Sequence, residues 1–128
     1  SGKPYSYRSL GKGFSKRIYH GGVVMQRGEV WWAELPSPIG RRPVVLLSRD
    51  EAYAVRNAVT VAEVTSTIRG IPVEVELGPE DGLPKKCVVN LDTIVTIRKN
   101  LLLERIALLR EEKINEIDSA IKFALSLP

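Results

Sequence analysis

The chain has 128 residues, 44% of them hydrophobic, with one cysteine, one histidine and a formal net charge of +4. That length suits a single domain; no apolar run nears the roughly 18 residues a membrane-spanning helix needs, and Cys87 with His20 cannot furnish a disulfide or a zinc site of the usual kind, so a cofactor-free protein of a reducing cytoplasm is expected. The charge is unevenly placed: residues 1–24 carry Lys3, Arg8, Lys12, Lys16 and Arg17 and no acid, while residues 25–128 hold 14 basic and 15 acidic residues, so any polyanion site there must be a local basic patch.

Residues 1–24 hold five of the ten glycines and show no apolar period. They read as an N-terminal extension, with residues 25–128 as the folded domain. Ser1-Gly2 has the look of a remnant of tag removal, and Met25 stands directly before a regular pattern. The extension is read first as a cloning or start-site remnant. A basic arm that tracks phosphates is the sharper alternative. An acid-poor transit peptide, though without a clear amphipathic face, is a third.

A strand is predicted over 29–35, with Trp31 and Trp32 on opposite faces, followed by a Pro- and Gly-containing loop to Gly40. The apolar run 43–47 predicts a central strand, and 50–56 a helical turn capped by Asp50. Residues 58–64 predict a strand ending at Thr65-Ser66-Thr67. Over 72–77, Val73, Val75 and Leu77 alternate with Glu74 and Glu76, and 78–82 form a turn. Short strands are predicted over 87–89, 94–97 and 106–109. Ile114, Ile117, Ala120, Ile121, Ala124 and Leu125 then recur at helical spacing, with Glu111 and Glu112 in the first turn, where the helix dipole favours acids. Phe123 falls off that stripe and is expected to face a partner subunit or solvent. The pattern predicts a mainly β fold, a small barrel with a C-terminal helix packed on it.

Standard hydrolytic machinery is missing. There is no G-x-S-x-G, no P-loop and no Cys/His pair, since Cys87 sits in an apolar strand and reads as a small buried hydrophobe. The acid pairs Asp50/Glu51, Glu80/Asp81 and Glu111/Glu112 are sequence neighbours in turns or helix starts, where solvated capping charge is the ordinary role. An enzyme built from this chain must work with Arg, Lys, Thr, Ser or Tyr. RNA suits such a set, because its 2′-hydroxyl is a nucleophile already tethered beside the phosphate. An arginine fork and a hydroxyl can then hold the phosphate and stabilise the charge that builds on it.

Arg27-Gly28-Glu29-Val30-Trp31-Trp32-Ala33-Glu34-Leu35 resembles the opening of MazF/PemK toxins. Arg42-Pro43-Val44-Val45-Leu46-Leu47-Ser48 is similar to their second strand, Val64-Thr65-Ser66-Thr67 to a following strand end, and Gly82-Leu83 with Cys87-Val88-Val89-Asn90-Leu91-Asp92-Thr93-Ile94 to their next block. Glu111 to Leu127 is similar to their final helix, so the resemblance runs in order from Met25 to Leu127. It implies an SH3-like, CcdB-like toxin barrel, a homodimer, and a metal-independent endoribonuclease that cuts single-stranded RNA and is held inactive by an antitoxin. It also implies that Arg42 and Thr65 are catalytic, with Ser66, Thr67 and Thr93 among the RNA contacts. The family's longer loop between the first two strands is shortened here to Ser37-Pro38-Ile39-Gly40 without an acid, and Thr93 stands where the family often has Gln. No residue is assigned as the general base.

Without the resemblance, Arg42 reads as a surface ion pair and Thr65 as a strand-end residue whose hydroxyl makes a turn. Arg41, Arg69, Lys85, Lys86, Arg98 and Lys99 occupy loop positions and form a candidate phosphate track, against an ordinary role in solubility. Two alternatives share the fold: a non-enzymatic CcdB-like toxin acting on DNA gyrase through its C-terminal helix, and an RNA-binding barrel that does not cleave. The expected protein partner is an antitoxin with an acidic extended tail, for which Trp31, Trp32 and Ile39 are candidate apolar anchors.

Overall fold

A computed structural model describes the backbone of residues 18–20 and 23–128, and side chains from Met25 onward. Its strands are β1 (Ile18–His20), β2 (Val23–Met25), β3 (Glu29–Leu35), β4 (Gly40–Leu46), β5 (Ala58–Thr65), β6 (Glu74–Leu77), β7 (Cys87–Arg98) and β8 (Leu102–Leu108). A one-turn helix, α1 (Ala52–Val55), joins β4 to β5, and α2 (Glu111–Leu125) ends the fold. Six strands form one antiparallel sheet in the order β6-β7-β5-β4-β3-β8, curled into a half-barrel whose edges are β6 and β8. The expected mainly β fold with a C-terminal helix is found; the barrel is open rather than closed. Among the described residues no helix is long and apolar enough to cross a membrane.

Both faces of the sheet are buried, which is why its central strands carry continuous apolar runs rather than an alternation. Val30, Val45, Ala62, Val64 and Val89 point to one face, where Ile117 and Ala120 of α2 complete the core. Ile114, Ile121 and Ala124 pack on that core, while Leu125 and Phe123 stay exposed. Trp31, Ala33, Val44, Leu46, Val59 and Val61 point to the other face, which Met25 and Tyr53 cover. Burying each such aliphatic side chain contributes about 1.5–3 kcal/mol.

Gly28 fixes the entry to β3. Its φ is +92°, its N–H donates to the Leu46 carbonyl at 2.9 Å, and its own carbonyl accepts from Leu109 at 3.0 Å. A Cβ added there would stand 2.6 Å from Cδ1 of Ile114 on α2. Gly28→Ala is therefore expected to destabilise the fold by about 1–3 kcal/mol, through left-handed strain and overpacking together. A urea midpoint equal to that of the unaltered protein would remove this account.

Four sequence expectations are corrected. Asp50 does not cap α1: Glu51 is the N-cap residue, without a side-chain capping bond, and the Asp50 carboxylate instead accepts the Arg27 backbone N–H at 2.7 Å. The two strands expected over 87–89 and 94–97 are one, β7. Asn90 bends it, its side chain accepting from the Asp92 N–H and its carbonyl from the Thr93 hydroxyl. That bend lets β7 change partners, pairing β6 up to Asn90 while its register on β5 jumps from Ile94 opposite Ala62 to Val89 opposite Val64. The last strand begins at Leu102 rather than at 106. Finally, the segment read as unpatterned contains a hairpin, with Ile18 opposite Met25 and His20 opposite Val23. The expectations for residues 1–17 lie outside the described residues.

Candidate active site

The sheet splits between β4 and β5, and the split has a covalent cause. The Leu47 N–H donates to the Thr60 carbonyl at 2.9 Å, and the ladder continues through Leu46–Val61, Val45–Ala62 and Val44–Glu63. Donors facing a given neighbour alternate along an antiparallel strand. Val45 is therefore the next donor position and Pro43 the one after. Pro43 has no N–H, so the ladder stops there. Beyond it β4 follows β3 out to Leu35–Gly40, and β5 follows β7 through Val64–Val89 and Thr65–Val88.

A cleft opens at the split, lined by Trp32, Arg41, Arg42, Pro43, Val64, Thr65, Ser66, Leu83, Pro84, Lys85 and Cys87. Arg42 on β4 and Thr65 on β5 each lie two residues beyond the last paired positions, Val44 and Glu63, and both line the cleft. Among the described residues, three cations and two hydroxyls thus line a cleft that no carboxylate lines. Arg41 lies over the ring of its diagonal neighbour Trp32, 5.1 Å from the centroid, an arrangement that holds an aromatic face and a positive charge side by side. The Thr65 hydroxyl oxygen accepts the Thr67 N–H at 3.1 Å, which fixes the oxygen and leaves the hydroxyl hydrogen to donate. Arg42 is half-buried and its Nη1 donates to Glu63 Oε1 at 3.3 Å. Both contacts read from the residues alone are therefore present, an ion pair at Arg42 and a turn at Thr65. Neither uses up the donors that face the cleft.

Of the residues singled out in the sequence, Arg41, Arg42, Thr65, Ser66 and Lys85 meet in the cleft, whereas Thr67, Arg69, Lys86 and Thr93 do not line it. Thr67 reaches it only through its N–H on Thr65. Arg69 stands on the exposed loop after β5, where its N–H binds the Glu74 carboxylate, and Thr93 hydrogen-bonds within the β7 bend. Lys99 is no part of a loop track: it is buried, donates to the Tyr53 carbonyl at 2.7 Å, and burial pulls its pKa down. Trp31 is core, donating to buried Glu29 at 3.0 Å, so it is no anchor for a peptide, whereas Trp32 and Ile39 are accessible. Cys87 is buried as expected, at the cleft wall, and desolvation pushes its thiol pKa up, with the charge of Asp81 adding to the shift. Among the described residues no three His, Cys, Asp or Glu side chains converge as a metal site would require. Trp32, expected from the sequence as an apolar contact for an antitoxin tail and on the face opposite Trp31, lines the cleft; Pro43, Val64, Leu83, Pro84 and Cys87 were not expected there.

Comparisons with known proteins agree on one group. Residues 26–125 match the family described as PemK-like, MazF-like toxin of type II toxin-antitoxin system. A probable endoribonuclease MazF5 of Mycobacterium tuberculosis is 42% identical over 100 residues, covering 77% of this chain and 91% of the relative. An endoribonuclease MazF of Staphylococcus saprophyticus is 35% identical over 113 residues, 81% of this chain and 93% of that protein. Among solved structures, Mycobacterium tuberculosis toxin MazF-mt6 superposes with a TM-score of 0.73 at 31% identity, over 78% of this chain and 98% of that one. A mycobacterial endoribonuclease in complex with its cognate antitoxin gives 0.72 at 30% identity, over 81% and 97%.

Proposed function

Given that this chain belongs to the PemK-like, MazF-like toxin family of type II toxin–antitoxin systems, we propose that it is an endoribonuclease toxin that cuts single-stranded RNA in the cleft between β4 and β5, with a cognate antitoxin as its inhibitor. The observation that carries this reading is the cleft itself, lined by Arg42 and Thr65 together with Arg41 and Lys85 and, among the described residues, by no acid. Such a cleft attracts a phosphodiester and offers donors of the geometry phosphate oxygens need.

In this reading the substrate's 2′-hydroxyl attacks the adjacent phosphorus and gives up its proton to water, the P–O5′ bond breaks, and the 5′-oxygen takes up a proton, leaving a 2′,3′-cyclic phosphate and a 5′-hydroxyl. Arg42 meets the charge that grows on the phosphoryl oxygens, where preorganised donors act most strongly. A guanidinium stays protonated and is no base, so its work is electrostatic, with a hydrogen bond donated toward the leaving oxygen. Thr65 donates to a phosphate oxygen and sets the phosphorus in line with its attacker. Trp32, charged from above by Arg41, offers a stacking face to a neighbouring base. Ser66 and Lys85 continue the phosphate contacts within the cleft, and Thr67, Arg69, Lys86 and Thr93 lie along the strand as it leaves.

The partners follow from the same chemistry. A groove that takes a polyanionic strand also takes an acidic, extended antitoxin tail, with Trp32 and Ile39 as apolar contacts at its side. The exposed Phe123 fits a homodimer contact, and the setting is the cytoplasm. The relatives' names as endoribonucleases favour this reading over a CcdB-like poison of DNA gyrase. The test is direct: incubate the protein with a long mixed RNA and map the new ends. Discrete sites bearing 5′-hydroxyl and 2′,3′-cyclic phosphate ends are expected. Intact RNA that is nevertheless bound would establish the non-cleaving barrel instead.

A further inference from the structure

We propose that Glu63 is the positioning residue for Arg42, an inference that rests on the endoribonuclease reading above. Glu63 sits on β5 directly across from Val44, on the sheet face that Arg42 shares. Its carboxylate holds Arg42 Nη1 at 3.3 Å, with the Glu63 side chain 16% exposed against 35% for Arg42. Among the described residues this is the only hydrogen bond of either side chain. The rotamer-rich arginine is thus tethered to a short, strand-fixed, largely buried acid.

The placement separates two roles a carboxylate might play. Glu63 does not line the cleft and its carboxylate pairs with the Arg42 guanidinium, so its role runs through that arginine. One of the five guanidinium N–H donors is spent on it, and four remain on a residue that lines the cleft. The contact ties Nη1 at 3.3 Å and leaves Nε and Nη2 as the pair of donors that can settle on phosphate. The charge of Glu63 opposes the approach of RNA, yet its geometry favours the transition state. Those two effects fall on different kinetic constants.

The test is Glu63→Gln in the full-length protein, assayed on a short RNA under single-turnover conditions, with affinity measured on the same RNA carrying 2′-deoxyribose at the cut. The maximal rate should fall roughly 10- to 100-fold, the range that small misplacement of a reacting group produces. Affinity should hold or rise, since a negative charge has been removed. In the Arg42→Ala background the same substitution should produce no further loss, because groups acting through one another are non-additive. Glu63→Asp, with the charge kept and the reach shortened, should fall between the two, and a thermal melt of each variant separates unfolded protein from a working fold. An unchanged rate in Glu63→Gln, a drop that persists in the Arg42→Ala background, or a loss confined to affinity would each overturn the proposal. An unaltered protein that cuts no RNA at all would overturn the endoribonuclease reading instead.

Discussion

A single 2′-deoxyribose on the 5′ side of the scissile phosphate should abolish cleavage. The cleft holds two hydroxyls and one thiol. Among the described residues no histidine or carboxylate lines the cleft to activate the hydroxyls of Thr65 and Ser66, and burial pushes the Cys87 thiol pKa up, so none of the three is an activated nucleophile. The attacking oxygen must come from the substrate. An internal nucleophile held next to its target has an effective concentration of about 10⁵–10⁸ M, and removing it forfeits that whole advantage. Binding should survive, because the cleft cations address phosphates rather than the sugar. The same reaction in EDTA should run at its full rate, since charge stabilisation is assigned to Arg42 and Thr65. A chimeric RNA that is cut as fast as the all-ribose strand would show that the protein supplies its own nucleophile.

Arg42→Ala is expected to slow cleavage by about 10²–10³, or 3–4 kcal/mol, the usual cost of one preorganised donor. The fold should persist: Arg42 packs in neither core, and the Glu63 carboxylate it leaves behind still reaches water. Arg42→Lys separates charge from shape. An ammonium can replace the pairing with Glu63, but it cannot hold Glu63 and two phosphate oxygens at once as a planar fork does. It should therefore lie close to the alanine variant in rate. Single-turnover assays with a melting curve for each protein decide the matter, and near-normal cleavage by Arg42→Lys would exclude the fork.

Much of this was legible before any coordinates. The α2 stripe is a period that only a helix satisfies, and Ile117 and Ala120 duly reach the core. The run Val44-Val45-Leu46 announced a strand covered on both faces. Arg42 and Thr65 were legible through the order of short motifs, none of which is informative alone. What stayed hidden depends on register. Glu63 alternates within an apolar strand, and an acid there reads as a solvent-facing residue until pairing sets it beside Arg42. Asn90, Asp92 and Thr93 are turn-formers locally, and only the shared pairing of β7 with β5 and β6 turns their bend into a joint within one strand. Lys99 looked like a loop charge because a long aliphatic stem that buries itself leaves no trace in composition.

The missing N–H of Pro43 reaches into how the cleft responds to ligands. Many binding grooves coexist with a closed form, and every ligand then binds with an apparent affinity discounted by the fraction of molecules that stand open. Here the competing form, β4 zipped to β5 past Val44, lacks the bond that would stabilise it. The open state is written into the covalent chain and needs no substrate to populate it. On the function proposed above, RNA and an antitoxin tail would contend for one standing groove, with occupancy set by concentration and intrinsic affinity.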